Sequence, residues 1–162
     1  MKEYTQEELN ELIECPKIII EAPSKEMKLI QGNRRNSMKL ESKDGEHHFL
    51  VFMRKHEKFA ENFSIGLSYQ HKDHRGKSTI IRCNGPTAHS NNPLDCDVHF
   101  NYHIHRMPIE DLNDGCEHPY DKVRTKDYAS YEEALSYFIN LVNVQGAEPY
   151  FALTNQNNLF DT

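Results

Sequence analysis

No apolar stretch in the chain is long enough to cross a bilayer. The longest runs are Ile18 to Ile20 and Phe49 to Met53, against the roughly 20 residues that a spanning helix requires. The start also lacks the apolar region of a secretion signal, because Met1-Lys2-Glu3-Tyr4 leads into acidic, polar sequence. Cytoplasmic residence without membrane association is therefore expected. Cys-x-x-Cys pairs are absent, and Cys15, Cys83, Cys96 and Cys116 are spaced widely and unevenly, which points to reduced thiols rather than redox chemistry. There is no Gly-rich phosphate loop, no His-Glu-x-x-His and no Gly-x-Ser-x-Gly, so the common nucleotide-binding, metalloprotease and hydrolase readings lose their usual support. Positive charge is in deficit, with 19 Lys and Arg against 25 Asp and Glu and a net charge of −6. Nonspecific DNA binding, which needs a basic face, is not expected. A local basic cluster at Lys72, Arg75 and Lys77 is compatible with that balance, either as a phosphate contact or as a solvated hairpin tip.

What is present suits a single globular domain. A chain of 162 residues with 37% hydrophobic and 27% charged residues can bury a core without disulfides or a structural metal. Thr5 and Glu8 have capping-box spacing, and Leu9, Leu12 and Ile13 recur at helical intervals until Pro16, predicting a short helix over 6–14. A strand is expected near Met27 to Ile30. Asp44-Gly45 between Met38–Ser42 and His47–Arg54 signals a hairpin. A second hairpin has Phe63–Gln70 and Ser78–Cys83 as arms, with Gly76 in its turn available for a positive φ. Ser130 and Glu133 form another candidate capping box, ahead of Ala134, Leu135, Phe138, Leu141 and Val142 at helical spacing, with Gly146 as the stop. The expected fold is α+β: a mainly antiparallel sheet of about five strands, with a short N-terminal helix and a longer C-terminal helix packed on it. Residues 1–146 form the domain, and 147–162 are a tail, docked or frayed.

The chemistry-bearing residues gather around one loop and one strand. A Gly/Pro/Asn-rich loop from Asn84 to Asp95 leads into Val98–Arg106, where apolar and polar residues alternate without a break. Period two puts Val98, Phe100, Tyr102 and Ile104 on the core face and His99, Asn101, His103 and His105 on the other. His103 and His105 are close enough to converge on one ligand, whereas His99 is about 14 Å from His103 along the strand. Polar residues at these positions also suit the solvated outer face of an antiparallel sheet. A zinc site at Cys83, His89, Cys96 and His99 is possible by residue type, but intervals of five, six and two residues match none of the common zinc motifs. No metal or other cofactor is expected. His89 and His99 across a small cleft, one as base and one as acid, with Arg82 or Arg106 on the phosphate, would meet the minimum for metal-free RNA cleavage. Asn84, Asn101, His103 and His105 would form the supporting surface.

The segments Tyr4-Thr5-Gln6-Glu7-Glu8-Leu9, Cys15-Pro16-Lys17, Asn84-Gly85-Pro86 with His89, Asp97-Val98-His99-Phe100 and Tyr131-Glu132-Glu133-Ala134-Leu135 together resemble a bacterial and phage family of small uncharacterised proteins, a domain of unknown function. Asp97 stands where that family carries a second histidine. The order of features is also similar to TumE-type toxins of toxin–antitoxin pairs. The resemblance implies a prokaryotic or phage protein of host–invader conflict. Two functions follow as expectations: a toxin-like, metal-independent ribonuclease with an antitoxin as partner, or a non-enzymatic, anti-CRISPR-like inhibitor that binds and blocks a bacterial defence nuclease.

Overall fold

Thr5 opens the first helix as its spacing from Glu8 predicts. In the computed structural model, which describes residues 2–86, 101–119 and 121–152, helix α1 runs Gln6–Glu14, and Thr5 and Glu8 cap each other reciprocally. Its buried side chains are Leu9, Leu12 and Ile13. Strands β1 (Lys17–Glu21), β2 (Lys28–Ile30), β3 (Asn33–Ser42), β4 (His48–His56), β5 (Phe63–Gln70) and β6 (Lys77–Asn84) follow, then β7 (His103–Arg106). Helix α2 (Ile109–Asn113), strand β8 (Asp121–Arg124), helix α3 (Tyr131–Leu141) and strand β9 (Val144–Gln145) complete the described elements.

Among the described residues, nine strands form one sheet in the order β8-β7-β6-β5-β4-β3-β1-β9, with β2 also paired to β3. The pairs are antiparallel except β1 with β9, which is parallel. This corrects the expectation of about five strands beneath a longer C-terminal helix. The sheet is mixed and the helices are all short, at 9, 5 and 11 residues. The strands not expected are short: β1, β8 and β9 have 5, 4 and 2 residues, whereas β2 falls where a strand is expected near Met27 to Ile30. Strand pairing, not local pattern, makes them strands. Gly146 does not end α3 either. The chain leaves the helix at Val142 and turns at Asn143, in the left-handed region at φ 59°, directly into β9. The α+β character itself stands, and no described helix is long and apolar enough to cross a membrane.

One sheet face meets the helices. Met38, Val51, Met53, Ile65, Leu67, Ile81 and Cys83 pack there with Leu9, Leu12, Phe138 and Ile139, the alternation in β3 and β4 sending every second side chain inward. Lys17 is fully buried at the junction of the two longer helices. Its ammonium donates to the carbonyls of Ile13, Cys15 and Val142 at 2.8–2.9 Å, and lies 4.8 Å from the Phe49 ring centre.

Candidate functional site

The face turned away from the helices is built by register. One row across six strands reads Arg35, Arg54, Ser64, Asn84, His103, Arg124; the next reads Ser37, Phe52, Gly66, Arg82, His105, Lys122. These twelve positions hold five cations and two imidazoles and no carboxylate, in a chain whose acids outnumber its bases. The concentration of one sign on one face is a tertiary outcome, because the residues come from six separate segments.

Arg54 and Arg82 are half-buried within this face. Arg54 donates to Asn33 Oδ1 at 2.8 Å, Asn62 Oδ1 at 3.0 Å and Ser64 Oγ at 3.3 Å. Neutral oxygens hold it in place without neutralising it. Burial pulls its pKa below the ordinary arginine value, and the nearby Arg35 and Arg82 charges pull the same way. Burial likewise lowers Arg82. No carboxylate among the described residues forms an ion pair with either guanidinium. Removing a charge from water without a counter-charge is costly. Arg54 and Arg82 thus form a positive centre on this face with no carboxylate partner among the described residues. Arg82 Nε and Asn84 Oδ1 are moreover buried atoms with no hydrogen-bond partner among the described residues, a donor and an acceptor two residues apart on the same face. Such orphans are rare enough in folded proteins to call for an explanation.

His103 and His105 share this face as the alternation predicts, but they are not solvent-exposed, with exposures of 0% and 6%. Their rings lean together, with centres 4.9 Å apart at 67°, closer than the roughly 7 Å between same-face positions on a strand. His103 Nδ1 is 2.9 Å from the Asn101 carbonyl, which brings a third candidate residue to the pair. Arg82 is directly opposite His105, and Asn84 opposite His103. Beneath them, the buried Tyr128 hydroxyl donates to the carbonyls of Asn84 at 2.9 Å and His103 at 2.8 Å. Burial raises its pKa, so it stays a donor and ties β6 to β7 where the site begins. Phe52 completes the face. The tip of its ring occupies the space a side chain at Gly66 would need, and the ring stays partly exposed.

Comparison of the chain with protein-family models, with curated proteins and with solved structures found no match. The site stands on its own geometry.

The remaining candidates fall elsewhere. Arg106 alternates onto the face of Ile104, pairs in register with Ile81, and does not join Arg82. His89, Cys96 and His99 lie outside the described residues. Cys83, the described member of the zinc set, is buried on the helix side, where burial pushes its thiol up to about 12. Metal ligation requires the deprotonated sulfur, which this environment opposes. No group of three metal-ligating side chains occurs among the described residues. The basic turn is structural: Arg75 is held by Asp73 at 2.6 Å, donates to the Lys2 and Asn113 carbonyls and covers the Tyr4 ring, while Lys72 pairs with Glu46. A separate cleft of 470 Å³ lies between α1 and the β3–β4 turn, lined by residues including Glu8, Cys15, Asp44 and His47. Its charges are largely satisfied locally, Glu8 by Lys2 and Asp44 by Ser42.

Sequence reasoning missed Arg54, Phe52 and Tyr128. Arg54 and Phe52 share one parity in a strand whose other parity is apolar, Phe49, Val51 and Met53. Arg54 is thus legible as outward-facing, but its neighbours on β5 and β6 are not.

Proposed function

We propose that the protein is a toxin-like protein that acts on RNA, holding the phosphate backbone on the outer sheet face with Arg82 and Arg54 as the principal phosphate ligands. The observation that carries this reading is the pair of cross-strand rows with five cations and no carboxylate. The half-buried Arg82 guanidinium is a fitting donor to a phosphate oxygen. Next to Arg82, the imidazole pair His103–His105 organises the end of the site. With exposures of 6% or less, these rings position groups and do not themselves exchange protons with substrate. Proton transfer in cleavage falls to His89 and His99, in the segment between β6 and β7. The partner implied is an antitoxin that covers this face.

The test has two parts. Fluorescence anisotropy with a labelled RNA should give affinity that falls linearly with log salt, and Arg82→Gln should weaken binding roughly tenfold, the loss of one charge-assisted contact of about 1.5 kcal/mol. Inducible expression in a bacterial host should arrest growth and fragment RNA for the wild type, and neither for His89→Ala/His99→Ala. Intact RNA in all strains removes the cleavage step, and salt-independent or absent RNA binding removes the whole reading.

A second reading, the non-enzymatic inhibitor of a defence nuclease, draws on a different feature. Ile20 on β1 and Leu29 and Ile30 on β2 are 50%, 53% and 47% exposed, apolar side chains open to contact with a protein partner. Pull-down by the wild type but not by Leu29→Asp/Ile30→Asp would favour it.

A further inference from the structure

We infer that Phe52 is a base-stacking platform and that the sheet face therefore takes single-stranded rather than double-stranded RNA; the inference rests on the proposal that this face binds RNA. Phe52 is an aromatic side chain on the polar face of β4, where its parity neighbours Leu50 and Arg54 are likewise half-buried. Its position is fixed from below. Gly66, its register partner on β5, has no side chain, and a Cβ there would collide with the distal ring atoms of Phe52. The ring thus lies over the neighbouring strand instead of standing up from its own. Gly66 is in turn directly opposite Arg82, so the ring leans toward a guanidinium with no ion-pair partner among the described residues, while Arg54 lies two residues along the same strand.

An aromatic ring between two guanidiniums that have no carboxylate partner among the described residues offers alternating recognition, a flat apolar surface for a base with a cation on each side for the flanking phosphates. β4 and β6 are two strand spacings apart, about 10 Å, so a strand of RNA would cross the sheet rather than follow one β-strand. A duplex could not use the platform, because its bases are already stacked on one another and only the backbone is presented. Beyond Phe52 the same face continues into a groove of 290 Å³ lined by Lys39, His48, Leu50, Ser68 and Lys77 among others, where Lys39 pairs with Glu21 and His48 lies 3.4 Å from Glu41, so the carboxylate-free rows do not extend into it.

The experiment compares three fluorescein-labelled ligands by anisotropy against the full chain at one salt concentration: a single-stranded RNA 12-mer, an abasic oligomer of the same length and charge, and the blunt duplex of the 12-mer. Wild type should bind the single strand roughly tenfold more tightly than the abasic oligomer, the order expected for one stacked base, and more tightly than the duplex. Phe52→Leu should abolish the preference for bases, so that the single strand and the abasic oligomer bind alike, and Phe52→Tyr, which keeps a ring, should retain it. Thermal unfolding of each variant verifies the fold. Equal wild-type affinity for base-bearing and abasic oligomers, or a preference that survives Phe52→Leu, overturns the platform and leaves the phosphate reading standing. Failure of wild type to bind any of the three overturns the RNA reading and the platform with it.

Discussion

The ammonium of Lys17 donates a 2.8 Å hydrogen bond to the carbonyl of Val142, 125 positions away in the chain. The same ammonium bonds the Ile13 and Cys15 carbonyls, so one buried cation closes the C-terminal ends of α1 and α3 together. Carbonyls left over at a helix end need a donor, and a cation is favoured there by the helix dipole. Lys17→Met keeps the length of the side chain and removes the donor. It should cost about 2–4 kcal/mol, since three carbonyls lose a charged partner in a buried setting. Urea unfolding checks this; a loss below about 1 kcal/mol would mean that the ammonium does not hold the helix ends.

The pH dependence of stability should carry the same residue's signature. Burial lowers the Lys17 pKa from 10.5 to about 8, opposed in part by Cys15 and Glu14. Between those two values the unfolded chain binds more protons than the folded one, so this group makes stability rise with pH across the window and contributes no slope below about 8. Wild type should therefore gain on Lys17→Met as pH goes from 7.5 toward 10. Unfolding curves for the pair of proteins at several pH values measure the gap, and a gap that narrows with pH would contradict the assignment.

Gly66→Ala should destabilise the protein by about 1–3 kcal/mol, the usual range for forcing extra volume into a packed site. The added methyl meets the Phe52 ring. In the double variant Gly66→Ala/Phe52→Leu a large part of that loss should return, giving a coupling energy in a double-mutant cycle. Additive single effects would show that the ring is not held over Gly66.

Tyr128→Phe removes the donor to Asn84 and His103 without changing the packing of the ring. The two carbonyls are left without it where β6 meets β7, at a cost of about 1–2 kcal/mol. Hydrogen exchange should accelerate at the β6 and β7 amides more than at those of β3 and β4. Uniform acceleration would instead indicate a global effect unrelated to the site.

How much of this was readable in advance depends on the range of the interaction. The Thr5–Glu8 cap, the Asp44-Gly45 turn and the Gly76 turn are local, decided by side chains and φ angles within a few residues, and each is observed. The parity of His103 and His105 was also legible, because alternation along a strand is local. Their burial was not: the same pattern describes a wet face equally well, and only the neighbouring strands and segments decide which it is. Arg106 shows the same limit, since its place on the opposite face from Arg82 follows from register between two strands.

The sequence by itself determined the α+β character of the chain, its two central hairpins, and that His103 and His105 share one face of a strand. Only the tertiary structure decided that nine strands pair into one mixed sheet, that Lys17 joins two helix ends, and that Arg54, Arg82 and Phe52 lie side by side. The physical reason is that hydrogen-bonded register acts between segments, so a cationic face assembled from six strands has no trace in any one of them.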